Sequence, residues 1–307
     1  MTAVLAAIIP IMVILLLGKV IASTKILSDE GWRGLESITY YVLFPALIVS
    51  KLAVADFTQV DWRMPAVLIG AQLVLAIVSI ALGKALNQPR DRIGVFVQSG
   101  VRWNTFIALA IAQDLMGATG LALVAAAAAA MIPTANTLSI LGLLRFSSVE
   151  TDSTHLLRQI LVNPLIIACA VGLAINQIGI ELHQSVLDVL NILAEATITV
   201  GLLATGSHII LKESSAPMSV VFGWSLLRVF GLPLAAGALA IALSMPPSIL
   251  LVVLVATAVP TASNGAILAR QLGGDARLAA NLIACQTVFA LVSVTAVLWV
   301  AEALNLI

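Results

Sequence analysis

Two short stretches carry polar residues in surroundings written for hydrocarbon. In Val259–Ala269, VPTASNGAILA, Pro260, Thr261, Ser263, Asn264 and Gly265 lie between the apolar runs Ile249–Ala258 and Ile267–Ala269. In Gly100–Ala110, GVRWNTFIALA, Arg102, Asn104 and Thr105 have a similar setting. An unsatisfied polar group in hydrocarbon costs several kcal/mol, so both stretches must face protein or a water-filled cavity. Pro260 has no amide hydrogen and frees the carbonyl about four residues back, which opens a helix there. The chemistry this suits is capture of a carboxylate. Asparagine amides donate two hydrogen bonds each, and a broken helix adds freed N–H groups and the positive end of a half-helix dipole. Asn104 and Asn264 are the first candidates for substrate contact, with Thr105, Thr261, Ser263 and Asn136 as neighbours and Pro260 shaping the break. A competing reading has these amides only satisfying carbonyls released by the breaks, and the two roles can coexist. Arg102 either attracts the anion or lies against carbonyls or cytoplasmic water, and Arg228 poses the same choice.

Membrane helices must position these residues. Of 307 residues, 61% are hydrophobic and 10% charged, and the mean hydropathy of +1.12 belongs to a polytopic all-α membrane protein. Ten apolar segments are each long enough to cross a core of roughly 30 Å. They run Ala3–Ala22, Leu35–Leu52, Pro65–Leu86, Ile93–Ala112, Gly120–Leu144, Leu157–Ile178, Val186–Ile210, Pro217–Leu243, Ile249–Ala269 and Leu278–Ala303. The connections are short, so no soluble domain is expected, and the first segment lacks the basic stretch that precedes a cleavable signal peptide. Cys169 and Cys285 fall in apolar runs and read as buried free thiols. Zero net charge gives no reason to expect nucleic acid. The alanine run Ala125–Ala130 suits tight helix packing.

Lys and Arg are divided unevenly between alternate loops. One set holds Lys19, Lys25, Arg33, Lys84, Arg90, Arg92, Arg145, Arg158, Lys212, Arg270 and Arg277; the other holds only Lys51 and Arg63. The bias places both termini outside the cytoplasm. Ten segments divide into five and five at the hydrophilic stretch Arg145–Arg158, giving a first repeat over 1–145, a linker over 146–156 and a second repeat over 157–307. Because five is odd, repeats of this kind are inverted, and the polar-centred fourth and ninth segments then correspond.

Read together, these residues resemble a bacterial member of the auxin efflux carrier family, related to the plant PIN proteins. IIPIMVILLLGKVIAS and ITYYVLFPALIVSKLA, with Pro45, resemble the family's first two helices. VRWNTFIALA resembles the fourth, VNPLIIACAVGLAI the sixth, and AVPTASNGAILARQLGGDARLAA the ninth with its exit loop. The resemblance implies ten helices in inverted repeats, with helices 4 and 9 broken and crossing at the midplane. It further implies a scaffold of helices 1, 2, 6 and 7, a transport domain of helices 3–5 and 8–10, and dimerisation through the scaffold. Family substrates are small organic anions: indole-acetic acid in plants, and dicarboxylates such as malonate or malate for bacterial relatives. The chain departs from the plant pattern in its short central loop, in Asn264-Gly265 where a second proline stands, and in Pro133 and Asn136 of MIPTANT. These departures point to an anion smaller than an indole acid.

The expected function is therefore a secondary transporter of a small organic anion, working by elevator-type alternating access in a bacterial inner membrane, with proton or sodium coupling open. A sodium-coupled symporter of the bile-acid type remains an alternative, because carbonyls of unwound segments can hold sodium. A cation/proton antiporter would ordinarily need acids in the middle of helices 4, 5 or 9, and Asp114 falls at the outer end of helix 4. Glu195 and His208, in the seventh segment, are the remaining proton-binding candidates, with helix-end solvation as the plainer role. No enzyme is expected: Ser207 and His208 are adjacent and diverge on a helix by about 100°. No charged ring or carbonyl filter suggests a channel.

Overall fold

Long runs of Leu, Ile, Val and Ala favour helix nearly everywhere, and the described residues contain no strand. The computed structural model describes residues 2–55, 61–147, 162–209 and 215–304. Most of the expected linker, the start of the sixth segment, Arg158 and Lys212 lie outside them. The chain runs through α1 (Thr2–Thr24), α2 (Asp29–Ile38), a π-helical turn π1 (Thr39–Leu43) and α3 (Phe44–Ala53). It continues with α4 (Arg63–Ala85), α5 (Arg90–Val101), α6 (Thr105–Phe146), α7 (Pro164–Ile178) and α8 (Gln184–Ser207). The last part comprises α9 (Met218–Leu226), a second π turn π2 (Leu227–Gly231), α10 (Leu232–Ala242), α11 (Pro247–Ala258), α12 (Gly265–Gln271) and α13 (Ala276–Ala303).

Among the described residues, six helical runs are long and apolar enough to cross a membrane: Asp29–Ala53, Arg63–Ala85, Arg90–Phe146, Gln184–Ser207, Met218–Ala242 and Ala276–Ala303. The first and sixth segments contribute only the shorter apolar stretches Ile8–Thr24 and Pro164–Ile178 among the described residues, and local causes account for the rest of the difference from ten. The fourth and fifth segments run together, because only Gly117, at φ 59° and ψ −139°, interrupts α6. That left-handed φ suits glycine. The chain folds back so tightly that a Cβ at Gly120 would lie 2.2 Å from the Ala112 carbonyl oxygen. The ninth segment is cut into helices of 12 and 7 residues.

Both π turns precede a proline, Pro45 in α3 and Pro233 in α10. A missing proline N–H loosens the preceding helical ladder, which a single wider turn accommodates. Packing falls into two groups. Helix α1 lies along α8, and α3 packs on α7 and α8, whereas α4, α5 and α6 pack together and α11 to α13 join α9 and α10. Large apolar side chains remain exposed along α1 (Ile9, Val13, Leu16, Val20), α4 (Val74, Ile77) and α8 (Val186, Val189, Ile192). Stripes of that length suit contact with lipid.

Candidate functional site

The first break follows α5, where Arg102 is extended and Asn104 caps the start of α6. Asn104 is only 2% exposed. Its Oδ1 accepts from the Ile107 amide at 3.1 Å, and its Nδ2 donates to Thr205 Oγ1 on α8 at 3.0 Å. Its backbone N–H donates to the Pro260 carbonyl at 2.8 Å, so the two breaks touch directly.

The second break spans 259–264. Its backbone is held by α13, since the Thr261 amide donates to Gln286 Oε1 at 3.0 Å, and by α5, since Gln98 Nε2 donates to the Gly265 carbonyl at 2.7 Å. Asn264 Oδ1 accepts from Arg102 Nη2 at 3.0 Å. Among the described residues the Asn264 side-chain nitrogen has no partner, and the side chain makes no cap bond.

Arg228, 1% exposed, resolves differently from an anion-attracting cation. It sits in π2 and donates from Nη1 to the Thr257 carbonyl and from Nη2 to the Arg102 carbonyl at 3.3 Å. One guanidinium thus serves the freed carbonyls at the ends of both α5 and α11, where a positive charge also meets the negative ends of two helix dipoles. It is absent from the cavity wall.

A cavity of about 540 Å³ opens beside the contact between the breaks. Six of the eight expected site residues line it: Arg102, Asn104, Thr105, Asn136, Ser263 and Asn264. Pro260 and Thr261 do not. Thr261 is 1% exposed with its hydroxyl unpartnered, so it packs behind the break and the expectation of substrate contact does not hold for it. Pro260 acts through its carbonyl. Of the two dipole ends expected, only that of α6 has length behind it, because α12 is a 7-residue helix. Glu195 is exposed, away from this cavity.

Sequence reasoning passed over the opposite wall, formed by Arg33, Glu36, Tyr40, Tyr41 and Asn163, together with Thr205, which anchors Asn104 from behind. Tyr40 and Tyr41 lie in π1, and a π turn near Pro45 was the available signal. Glu36 is the one acid among the lining residues, against Arg33 and Arg102. A wall with two guanidinium groups, a free amide donor and a helix N-terminus is suited to holding an anion.

A family model described as membrane transport protein matches residues 3–150 and again 147–298. A comparison with curated proteins finds no match. With these matches across nearly the whole length of an all-helical, lipid-suited chain, the protein is an integral membrane protein belonging to the auxin efflux carrier family of membrane transport proteins.

Proposed function

We propose that the protein is a secondary transporter that moves a small carboxylate anion across the cell membrane by elevator-type alternating access. The observation that carries this reading is the free amide of Asn264 beside the Arg102 guanidinium, both on the wall of one cavity. Such a pair holds a carboxylate by one charge-assisted and one neutral hydrogen bond. The volume of about 540 Å³ suits a small molecule. A cation-exchange reading fares worse, since the contact between the breaks brings Arg102 and Arg228 together and offers no carboxylate among the lining residues except Glu36.

In this reading the chain makes ten crossings in two inverted repeats, 1–145 and 157–307. Helices α1 to α3, α7 and α8 form the scaffold, which also joins two copies, and α4 to α6 with α9 to α13 form the moving domain. Both termini lie outside a bacterial inner membrane. The cavity, bounded by Arg33, Glu36 and Gln271, then opens toward the cytoplasm.

Thermal unfolding of the purified protein tests the reading, with malonate, malate, succinate, indole-acetate and benzoate, each with and without sodium. A ligand of the native state raises stability by mass action. The expected result is stabilisation by a small dicarboxylate, weakened at least about tenfold in Asn264→Ala, which is about 1.4 kcal/mol. Stabilisation that requires sodium would favour symport of the bile-acid type. Stabilisation by sodium or protons alone would overturn the anion reading.

A further inference from the structure

Beside the cavity, His208 Nε2 lies 3.3 Å from Oε1 of Glu36, a residue of the cavity wall, with side chains 29% and 21% exposed. His208 caps the end of α8, and its Nδ1 lies 2.8 Å from the Ala204 carbonyl oxygen. Nδ1 also lies 3.3 Å from Ser207 Oγ, but that hydroxyl donates to the same Ala204 carbonyl at 2.7 Å, and a carbonyl can only accept, so Nδ1 carries a hydrogen, an assignment made from the bonding partners. Nε2 of a neutral ring is then an acceptor, and a carboxylate opposite it is also an acceptor. The contact is attractive only when one further proton sits between them, on the ring or on the carboxyl group. With that proton the pair is neutral; without it the cavity wall gains a negative charge.

We propose that Glu36 and His208 form a single-proton site that controls anion entry to the cavity, favouring entry when the proton is bound. Glu36 itself lines the wall, and Thr205, next to Ala204 in the last turn of α8, accepts from Asn104 at the first break. The pair is thus tied both to the cavity wall and to the first break. Among the described residues the charges around it are few. On α2, Arg33 faces Glu30 at 3.8 Å with both side chains largely exposed, and π1 brings Tyr40 and Tyr41. Arg102 lines the same cavity. Helix α1 carries Lys19 near its end, with Lys25 just beyond. Lys51 of α3 is engaged with Asn191, far back along α8, and α6 presents no acid or base on the cavity wall. The proton site stands on geometry alone; its role as a coupling site rests on the anion-carrier reading. Linkage is reciprocal, so an anion in the cavity would in turn hold the proton.

The test places a cysteine at Ser37, exposed on the cavity wall, with Cys169 and Cys285 replaced by serine. Its rates of reaction with an anionic and a cationic methanethiosulfonate are compared from about pH 5 to about pH 9, bracketing the ordinary histidine range. The ratio of the two rates cancels the ionisation of the thiol. On the otherwise native background the anion-to-cation ratio should fall about fivefold or more as the pH rises. His208→Gln removes one of the two proton acceptors and should move the fall in the ratio to lower pH. Glu36→Gln with His208→Gln keeps the pair neutral and should hold the ratio near its high value. A ratio that does not move on the native background, or one that falls equally in the double variant, overturns the proposal. Malonate failing to stabilise the protein would sink the carrier reading and leave these rates intact, so the two failures are distinct.

Discussion

Asn104 and Asn264 each end a break and begin a helix, yet only Asn104 is tied into the fold. The difference begins in the backbone. Asn104 is extended, at φ −87° and ψ 95°, the geometry in which a cap side chain reaches the amide three residues on. Asn264, at φ −80° and ψ 6°, has already begun to turn, and its carbonyl accepts from Ile267 and Leu268 in the following turn. Its side chain is left to project toward Arg102 and the cavity. Two residues that look equivalent in the sequence therefore divide the work: one joins the moving parts, and the other has a donor to offer. The lesson is that a polar residue at a helix break identifies a ligand group only after its own backbone has been accounted for.

Asn104→Ala should show the contrast most strongly. It leaves the buried Ile107 amide uncapped and removes the bond to Thr205 Oγ1, which keeps its own bond to the Gly201 carbonyl, and the expected loss is about 2–3 kcal/mol in chaotrope unfolding of the purified protein. A loss below about 0.5 kcal/mol, the ordinary scatter of surface substitutions, would dissolve the distinction between the two asparagines. Gly265→Ala comes next. A Cβ there would lie 2.5 Å from Gln98 Nε2, which must swing away and release the Gly265 carbonyl. The expected loss is about 1–2 kcal/mol by the same unfolding measurement. Thr205→Val removes the hydroxyl behind Asn104 at nearly constant volume and should cost about 1 kcal/mol. Combined with Asn104→Ala it should add less than its full cost, because both remove the Asn104–Thr205 bond; full additivity would mean that Asn104 is not anchored there.

How far the sequence reveals this arrangement depends on the range of the interaction. Polarity inside an apolar run is local, so both breaks, and five residues of the cavity wall, are legible from Gly100–Ala110 and Val259–Ala269, with Asn136 added by MIPTANT. Asn104 could equally be read as cap or ligand, since the choice depends on ψ and on Thr205, 101 positions away. Arg228 is conspicuous as a charge in an apolar segment, but its partners are backbone carbonyls of α11 and of the first break, which leave no mark in residue type. Glu36 stands at the edge of the second apolar segment, where a charged residue is expected for solvation alone. Its meaning comes only from His208, brought beside it by the packing of α2 on α8. The Gly117 reversal was hidden by the polar stretch around Asp114, which reads as an ordinary loop.

The smallest expected effect sharpens the comparison most. Asn264→Ala removes no cap bond and no buried partner, and the Arg102 guanidinium it releases lies on the wall of an open cavity where water can reach it. Stability should stay within about 0.5 kcal/mol of the native chain. Asn264→Asp goes further. It keeps an oxygen for Arg102 and replaces the free donor with charge, so the fold should again be indifferent, or slightly firmer through the new ion pair. An incoming carboxylate would meet a like charge where it had met a donor, and malonate stabilisation should disappear while the unfolding midpoint without ligand does not fall. If Asn264→Asp unfolds as readily as Asn104→Ala, the free amide at the second break is structural after all. The site would then have to be sought on the α2 and π1 wall, around Arg33 and Tyr40.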